Sequence, residues 1–140
     1  MKSVRTENLI IIRLDEGEEV ISSLKAVAKD ERINSAVIVS FVGALKHSEL
    51  IVRKGVEKEI APHVEAVGNG NLTILNGEPF VHLHVALGND GGTWVGHLLK
   101  GVVDIFCEVA MLPMPFEARR SYDSSLAEKG VTVPFRLELG

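Results

Sequence analysis

The segment Val81–Leu99, reading VHLHVALGNDGGTWVGHLL, holds three of the five histidines of this chain. Alternate side chains of a β-strand share a face about 6.6 Å apart along the chain, so His82 and His84 project the same way. Gly88, Asn89, Asp90, Gly91 and Gly92 suit positive φ and tight reversal, and a second apolar run from Trp94 to Leu99 follows; the pattern predicts a β-hairpin. A loop closing about Asp90 and Gly91 sets His84 opposite His97 and gathers three imidazoles in one patch. A register shifted by one residue would turn His97 to the other face, so the convergence requires an even-membered loop. Three neutral imidazoles with one open position are an arrangement of catalytic zinc sites, and the ligand type also admits iron, nickel, cobalt or copper. The alternative is a half-buried face on which each histidine bonds to backbone or water.

Other side chains with chemical potential are more scattered. Glu108 follows the hairpin and is a candidate to orient a metal ligand or to act as general acid or base, against an ion-paired or solvated role. Glu65 and Glu49 are weaker candidates, and His63 and His47 lie outside the convergent segment. Arg119 and Arg120 are candidates to bind a small anionic ligand or phosphate; such a pair is also commonly solvated or ion-paired between subunits. By parity Trp94 faces away from His97, toward the core or a subunit interface. No phosphate-cradling Gly-rich loop, Ser/His/Asp order or Cys/His nucleophile signature is present.

The elements that must position these residues read as an α+β fold, mostly antiparallel, with one main helix. Leu9–Leu14 is a short apolar run that predicts a buried strand. Glu18–Asp30 changes to helical spacing, with Val20, Ile21, Leu24, Val27 and Ala28 on one face, Asp15 or Gly17 near its start and acids in its first turn. Ser35–Val42 predicts a central strand stopped at Gly43. Strands at His47–Arg53, His63–Val67 and Asn71–Leu75 follow, the last two separated by a Gly68-Asn69-Gly70 turn. After the hairpin come a strand at Val102–Met111, a Pro113/Pro115 break, a polar segment Glu117–Gly130 and a last strand near Phe135–Leu139.

The 140 residues fit one domain, 1–140, large enough for a core without staples. A hydrophobic content of 46% and a charged content of 24% are those of a folded soluble protein. The net charge of -4 denies the chain as a whole the positive field that nonspecific phosphate binding needs, so nucleic acid would require a local basic patch. Cys107, the single cysteine, reads as a buried free thiol suited to a reducing compartment. The N-terminal run lacks a small-residue cleavage site and is too short to span a bilayer, so a cytoplasmic protein without membrane association is expected.

The series Arg13-Leu14-Asp15-Glu16-Gly17-Glu18, then Gly43-Ala44-Leu45, then Gly77-Glu78-Pro79-Phe80-Val81-His82-Leu83-His84-Val85-Ala86-Leu87, then Gly96-His97-Leu98-Leu99 and Gly101 with Glu108-Val109 resembles the PPC domain. This is the plants-and-prokaryotes conserved domain, which stands alone in bacteria and archaea and is joined to AT-hooks in plant nuclear proteins. The resemblance spans most of the chain, and HLHV to GHLL is its most specific part. It implies a homotrimer of α+β subunits and, as in some prokaryotic members, a metal on His82, His84 and His97. The domain is also distantly similar to acetolactate decarboxylase, a zinc enzyme with an HxH and a later histidine, which implies metal-dependent lyase-like chemistry on a small oxyacid. The alternative it implies is a DNA-binding or regulatory module. Two departures bear on this: Phe41-Val42-Gly43 stands where many members have Gly-x-Gly, and Pro62-His63-Val64-Glu65 where plant members have Gly-Arg-Phe-Glu. No Arg-Gly-Arg-Pro AT-hook occurs, so the minor-groove reader of the plant proteins is missing. The sequence leaves open the substrate, the metal and whether catalysis occurs.

Overall fold

A computed structural model describes residues 1–140. Its elements run β1 (Lys2–Arg5), β2 (Ile10–Asp15), α1 (Val20–Asp30), β3 (Ala36–Arg53), β4 (Val56–Ile60), β5 (Val64–Leu75), β6 (Glu78–Asn89), β7 (Gly92–Pro113), β8 (Ala118–Ser121), α2 (Ser124–Ala127) and β9 (Arg136–Leu139). All nine strands join one sheet in the order β1-β2-β7-β3-β5-β8-β9, with β4 on β3 and β6 between β5 and β7. The pairings of β3 with β5, β5 with β6, β6 with β7 and β7 with β3 return on themselves, so these four strands wrap around the core. Every pairing is antiparallel except that of β5 with β8, which makes the sheet mixed.

The inner face is built by alternation. Val81, Leu83, Val85 and Leu87 of β6 are all buried, as are Leu98, Val103, Cys107, Val109 and Met111 of β7. Helix α1 covers part of this core with Val20, Leu24, Val27 and Ala28 and packs against β6 and β7. Truncating a fully buried leucine such as Leu24 costs about 2–5 kcal/mol, because the transfer energy is lost and a cavity remains. The helix begins two residues later than its hydrophobic spacing predicts. Glu19 is the N-cap, its carboxylate accepting from the amides of Ile21 and Ser22, and no acid lies in the first turn. The same carboxylate accepts from the amide of Gly101, which ties the helix start to β7. Glu18 is instead held outside the helix by the amide of Asp15 and the N-terminal amine.

Three expected chain breaks are absent, one of them between Trp94–Leu99 and Val102–Met111, which β7 joins into a single strand. β3 continues through Gly43, where it bulges against β7, and merges the two strands expected at Ser35–Val42 and His47–Arg53. Gly43 serves close approach rather than a turn: a Cβ there would lie 2.5 Å from the carbonyl oxygen of Phe106 and 2.6 Å from Cys107 Sγ. β5 likewise runs through Gly68-Asn69-Gly70, because Cβ atoms at the two glycines would overlap the carbonyl oxygens of His84 and His82 on β6. The bulge in β7 skips Ile105 and Phe106 between the partners of Ala44 and Gly43, and leaves both exposed. Ile105 has φ +66°, a strained conformation for a β-branched residue that costs on the order of 1–3 kcal/mol. The polar segment after Pro115 contains β8 and a second, short helix, α2, capped by Asp123. No helix is long and apolar enough to cross a membrane. Cys107 is buried and free, its thiol pushed up to about 11 by burial.

Candidate metal centre

The hairpin of β6 and β7 closes with Asn89 opposite Gly92, leaving Asp90 and Gly91 as a two-residue loop. The Asn89 side chain braces the loop by accepting from the amide of Gly91 at 2.7 Å. The even-membered loop puts His84 directly opposite His97. His82 follows on the same face, the outer one, because its odd-numbered neighbours on β6 fill the core. The ring centroids lie 4.9 Å apart for His82 and His84, 4.9 Å for His82 and His97, and 5.7 Å for His84 and His97. One ring nitrogen from each can be chosen so that all three lie within 4.8 Å of one another.

The surroundings of this triad come from three other strands and the segment before β9. Asn69 and Asn71 of β5 stand opposite His84 and His82, and Ile51 of β3 stands opposite His97. The segment 131–135, between α2 and β9, lies against this face beside the triad. Phe135, just before β9, has its ring 5.7 Å from that of His82 and 6.4 Å from that of His97. Arg120 of β8 reaches underneath: its Nη2 donates to Asn71 Oδ1 at 3.1 Å and to His82 Nδ1 at 3.2 Å, and its Nη1 donates to the Phe135 carbonyl at 3.5 Å. A cavity of about 320 Å³ opens beside the triad, with His84 and His97 on one wall. The rest of its lining is mainly apolar, including Ile51, Val52, Val95, Val131, Val133 and Phe135.

His97 is 6% exposed, and its pKa is lowered to about 4, chiefly by burial and then by the positive charge that His84 and Arg120 place beside it. His82 is lowered to about 4 in the same way, by burial first and then by His97, Arg120 and His84. Both imidazoles are therefore neutral at pH 7, the state a metal ligand requires. His82 Nε2 and His97 Nδ1 are buried without any hydrogen-bond partner. Two buried ring nitrogens without a partner in one cluster fit a cation that completes them, with the His82 proton displaced from Nε2. Arg120 carries the opposite strain: burial lowers the pKa of its guanidinium, and its Nε is also without a partner.

The structure separates the remaining candidates. Glu108 lies on β7 beyond the hairpin, opposite Arg13 and Val42, exposed and away from the histidines. Arg119 points outward and pairs with Glu117 at 2.6 Å, whereas Arg120 points in. His63 bridges Asp104 at 2.6 Å and Glu65 at 3.1 Å, and these carboxylates raise its pKa. His47 sits between Glu49 and Glu59 at 3.3 and 3.4 Å. Trp94 packs against the core, with Lys58 Nζ 5.9 Å from its ring centre. Neither Asn71 nor Phe135 stands out as a site residue in the sequence. Asn71 carries a signal there, since its strand is paired to the histidine strand; Phe135 carries none.

Fold and site thus define a β-rich protein with an outward-facing three-histidine cluster. The profile of the Plants and Prokaryotes Conserved (PCC) domain matches residues 1–115, and the chain belongs to that family. Its fold is similar to that of a metal-containing protein from Archaeoglobus fulgidus, with 29% identity, a TM-score of 0.77 and 97% and 100% of the two chains covered. A plant- and prokaryote-conserved protein from Pyrococcus horikoshii is similar at 29% identity and a TM-score of 0.73, over 99% of this chain and 96% of that one. A candidate DNA-binding protein from Bacteroides thetaiotaomicron shares the fold at 22% identity and a TM-score of 0.83, with 95% of each chain covered. Among curated proteins, none matches the chain.

Proposed function

We propose that this protein binds a divalent transition metal, zinc being the first choice, through His82, His84 and His97. The observation that carries the reading is the pair of buried, unpartnered nitrogens, His82 Nε2 and His97 Nδ1, in a cluster whose buried members are held neutral. The metal-containing relative from Archaeoglobus fulgidus supports it. A metal so held supplies Lewis acidity toward a carbonyl or hydroxyl oxygen, the chemistry of a lyase acting on a small oxyacid. The chain's own residues contribute two neutral ligands in His82 and His97, an apolar wall beside the triad, and Asn71 and Arg120 against His82. Were His82 to hold a metal through Nε2, its proton would sit on Nδ1, and that nitrogen would face the Arg120 guanidinium as a donor instead of accepting from it. Arg120 therefore opposes metal loading, and Arg120→Met should tighten it.

The same outer face favours assembly. Val42, Val67, Ala86 and Val95 form one cross-strand row next to the histidines, with Val42, Val67 and Val95 exposed by 47%, 54% and 60%. A homotrimer that covers this row is the reading we adopt. Elemental analysis of untagged protein tests the metal: about one equivalent per chain is expected in the wild type. His84→Ala should lose it with the fold intact, since His84 is exposed and outside the core. A His82/His84/His97 triple alanine variant that keeps stoichiometric metal overturns the assignment.

A further inference from the structure

We propose that the metal centre is a receptor for a monocarboxylate with an apolar chain, and that Arg120, through its field behind His82, favours the negative charge of that ligand. This rests on the three-histidine metal reading and adds the class of ligand. Arg120 is 7% exposed, yet it takes part in none of the molecule's ion pairs. Its three acceptors, Asn71 Oδ1, His82 Nδ1 and the Phe135 carbonyl, are all neutral, and its Nε has no partner. A buried cation without a counter-anion is costly, and folds seldom keep one unless something else supplies the negative charge. Metal loading sharpens the deficit. The His82 acceptor is lost, and two positive charges arrive one imidazole away from the guanidinium. The loaded centre then holds three positive charges, and no carboxylate belongs to the cluster or bonds Arg120. An anion that ligates the metal restores the balance through the field of Arg120, which stands behind His82 and outside the cavity lining.

The cavity indicates what the rest of the anion is. It begins at His84 and His97, is walled by valines and Phe135, and at about 320 Å³ leaves room for roughly ten carbon atoms beyond the carboxylate, since an apolar cavity of about 150 Å³ takes a benzene. Inorganic phosphate would leave that apolar wall unfilled. Arg53 and Lys54, also in the lining, add to the attraction for a negative charge.

The test loads untagged protein with cobalt(II), measures stoichiometry, and then titrates isobutyrate, acetate and the neutral isostere isobutyramide by calorimetry and by the cobalt visible spectrum. Wild-type protein should bind isobutyrate about tenfold or more tightly than isobutyramide, and more tightly than acetate, with a change in the cobalt bands. Arg120→Met should keep one cobalt per chain and lose isobutyrate affinity about tenfold, and Arg120→Lys should fall between them. Equal isobutyrate affinity in wild type and Arg120→Met at full cobalt loading overturns this inference and leaves the metal centre standing. Failure of the wild type to take up cobalt overturns both readings, and stoichiometry shows this before any ligand is added. Should Arg120→Met fail to fold, the Lys variant and the acid-to-amide ratio in wild type decide: no preference for the acid overturns the proposal.

Discussion

At the scale of single residues the site is governed by protonation. His97 in the unfolded chain takes up a proton near the ordinary imidazole value of 6.5, whereas in the folded, metal-free protein it resists protonation until about pH 4. Between those values the unfolded state binds more protons, so its contribution is fully present above pH 6.5 and is lost as pH falls toward 4. The contribution is on the order of 3 kcal/mol as a ceiling, and His82 titrates in the same direction. Urea unfolding in chelator at pH 7 and pH 4.5 checks this: wild type should lose stability between them, and His97→Gln should lose clearly less. An unchanged pH slope in that variant would rule out His97 as the source. Metal affinity should fall over the same acid range, since protons and metal compete for the ring nitrogens.

The elements convert this chemistry into geometry through register. The two-residue loop of β6 and β7 sets His97 opposite His84, and inserting one glycine between Asp90 and Gly91 should strain the turn or slip one strand by a residue. Metal stoichiometry in the insertion variant should drop to near zero while far-ultraviolet circular dichroism stays that of a β-protein; full retention of metal would show that register does not control the site. Gly70→Ala probes the neighbouring pair. Its Cβ would overlap the His82 carbonyl oxygen, so β5 and β6 must separate, at a cost of about 3 kcal/mol, within the range of severe backbone conflicts. Both melting temperature and metal affinity should fall, because the strand that moves is the one that carries His82 and His84.

For the whole molecule, the row of Val42, Val67, Ala86 and Val95, its three valines exposed, adjoins the three-histidine cluster. Sedimentation should give about three times the chain mass of 15.2 kDa, and unfolding should depend on protein concentration, because association stabilises only the folded chain. Val67→Glu, at the centre of the row, should shift the mass toward the monomer. A wild-type monomer at micromolar concentration would contradict the assembly. Duplex DNA should bind weakly or not at all at about 0.15 M salt, since a chain of net charge -4 without an AT-hook offers few phosphate contacts. Tight binding with a steep salt dependence would instead favour the DNA-binding alternative.

The hairpin was legible in the sequence, and so was the opposition of His84 and His97 for an even-membered loop, because turn chemistry and strand alternation are local; the parity itself was decided by the turn closing at Asp90 and Gly91. The amphipathic face of α1 and the burial of Cys107 were legible for the same reason. The continuity of β3 and β5 was not: a glycine that spares a clash with a neighbouring strand has the same local signature as one that makes a turn, and only the partner strand distinguishes them. The sequence also marked Arg119 and Arg120 together, but which of them turns inward depends on where β8 docks beside β5. That docking, with Phe135 brought over the same imidazoles, joins residues far apart in the chain. It was settled by the packing of the whole sheet, on which no local pattern bears.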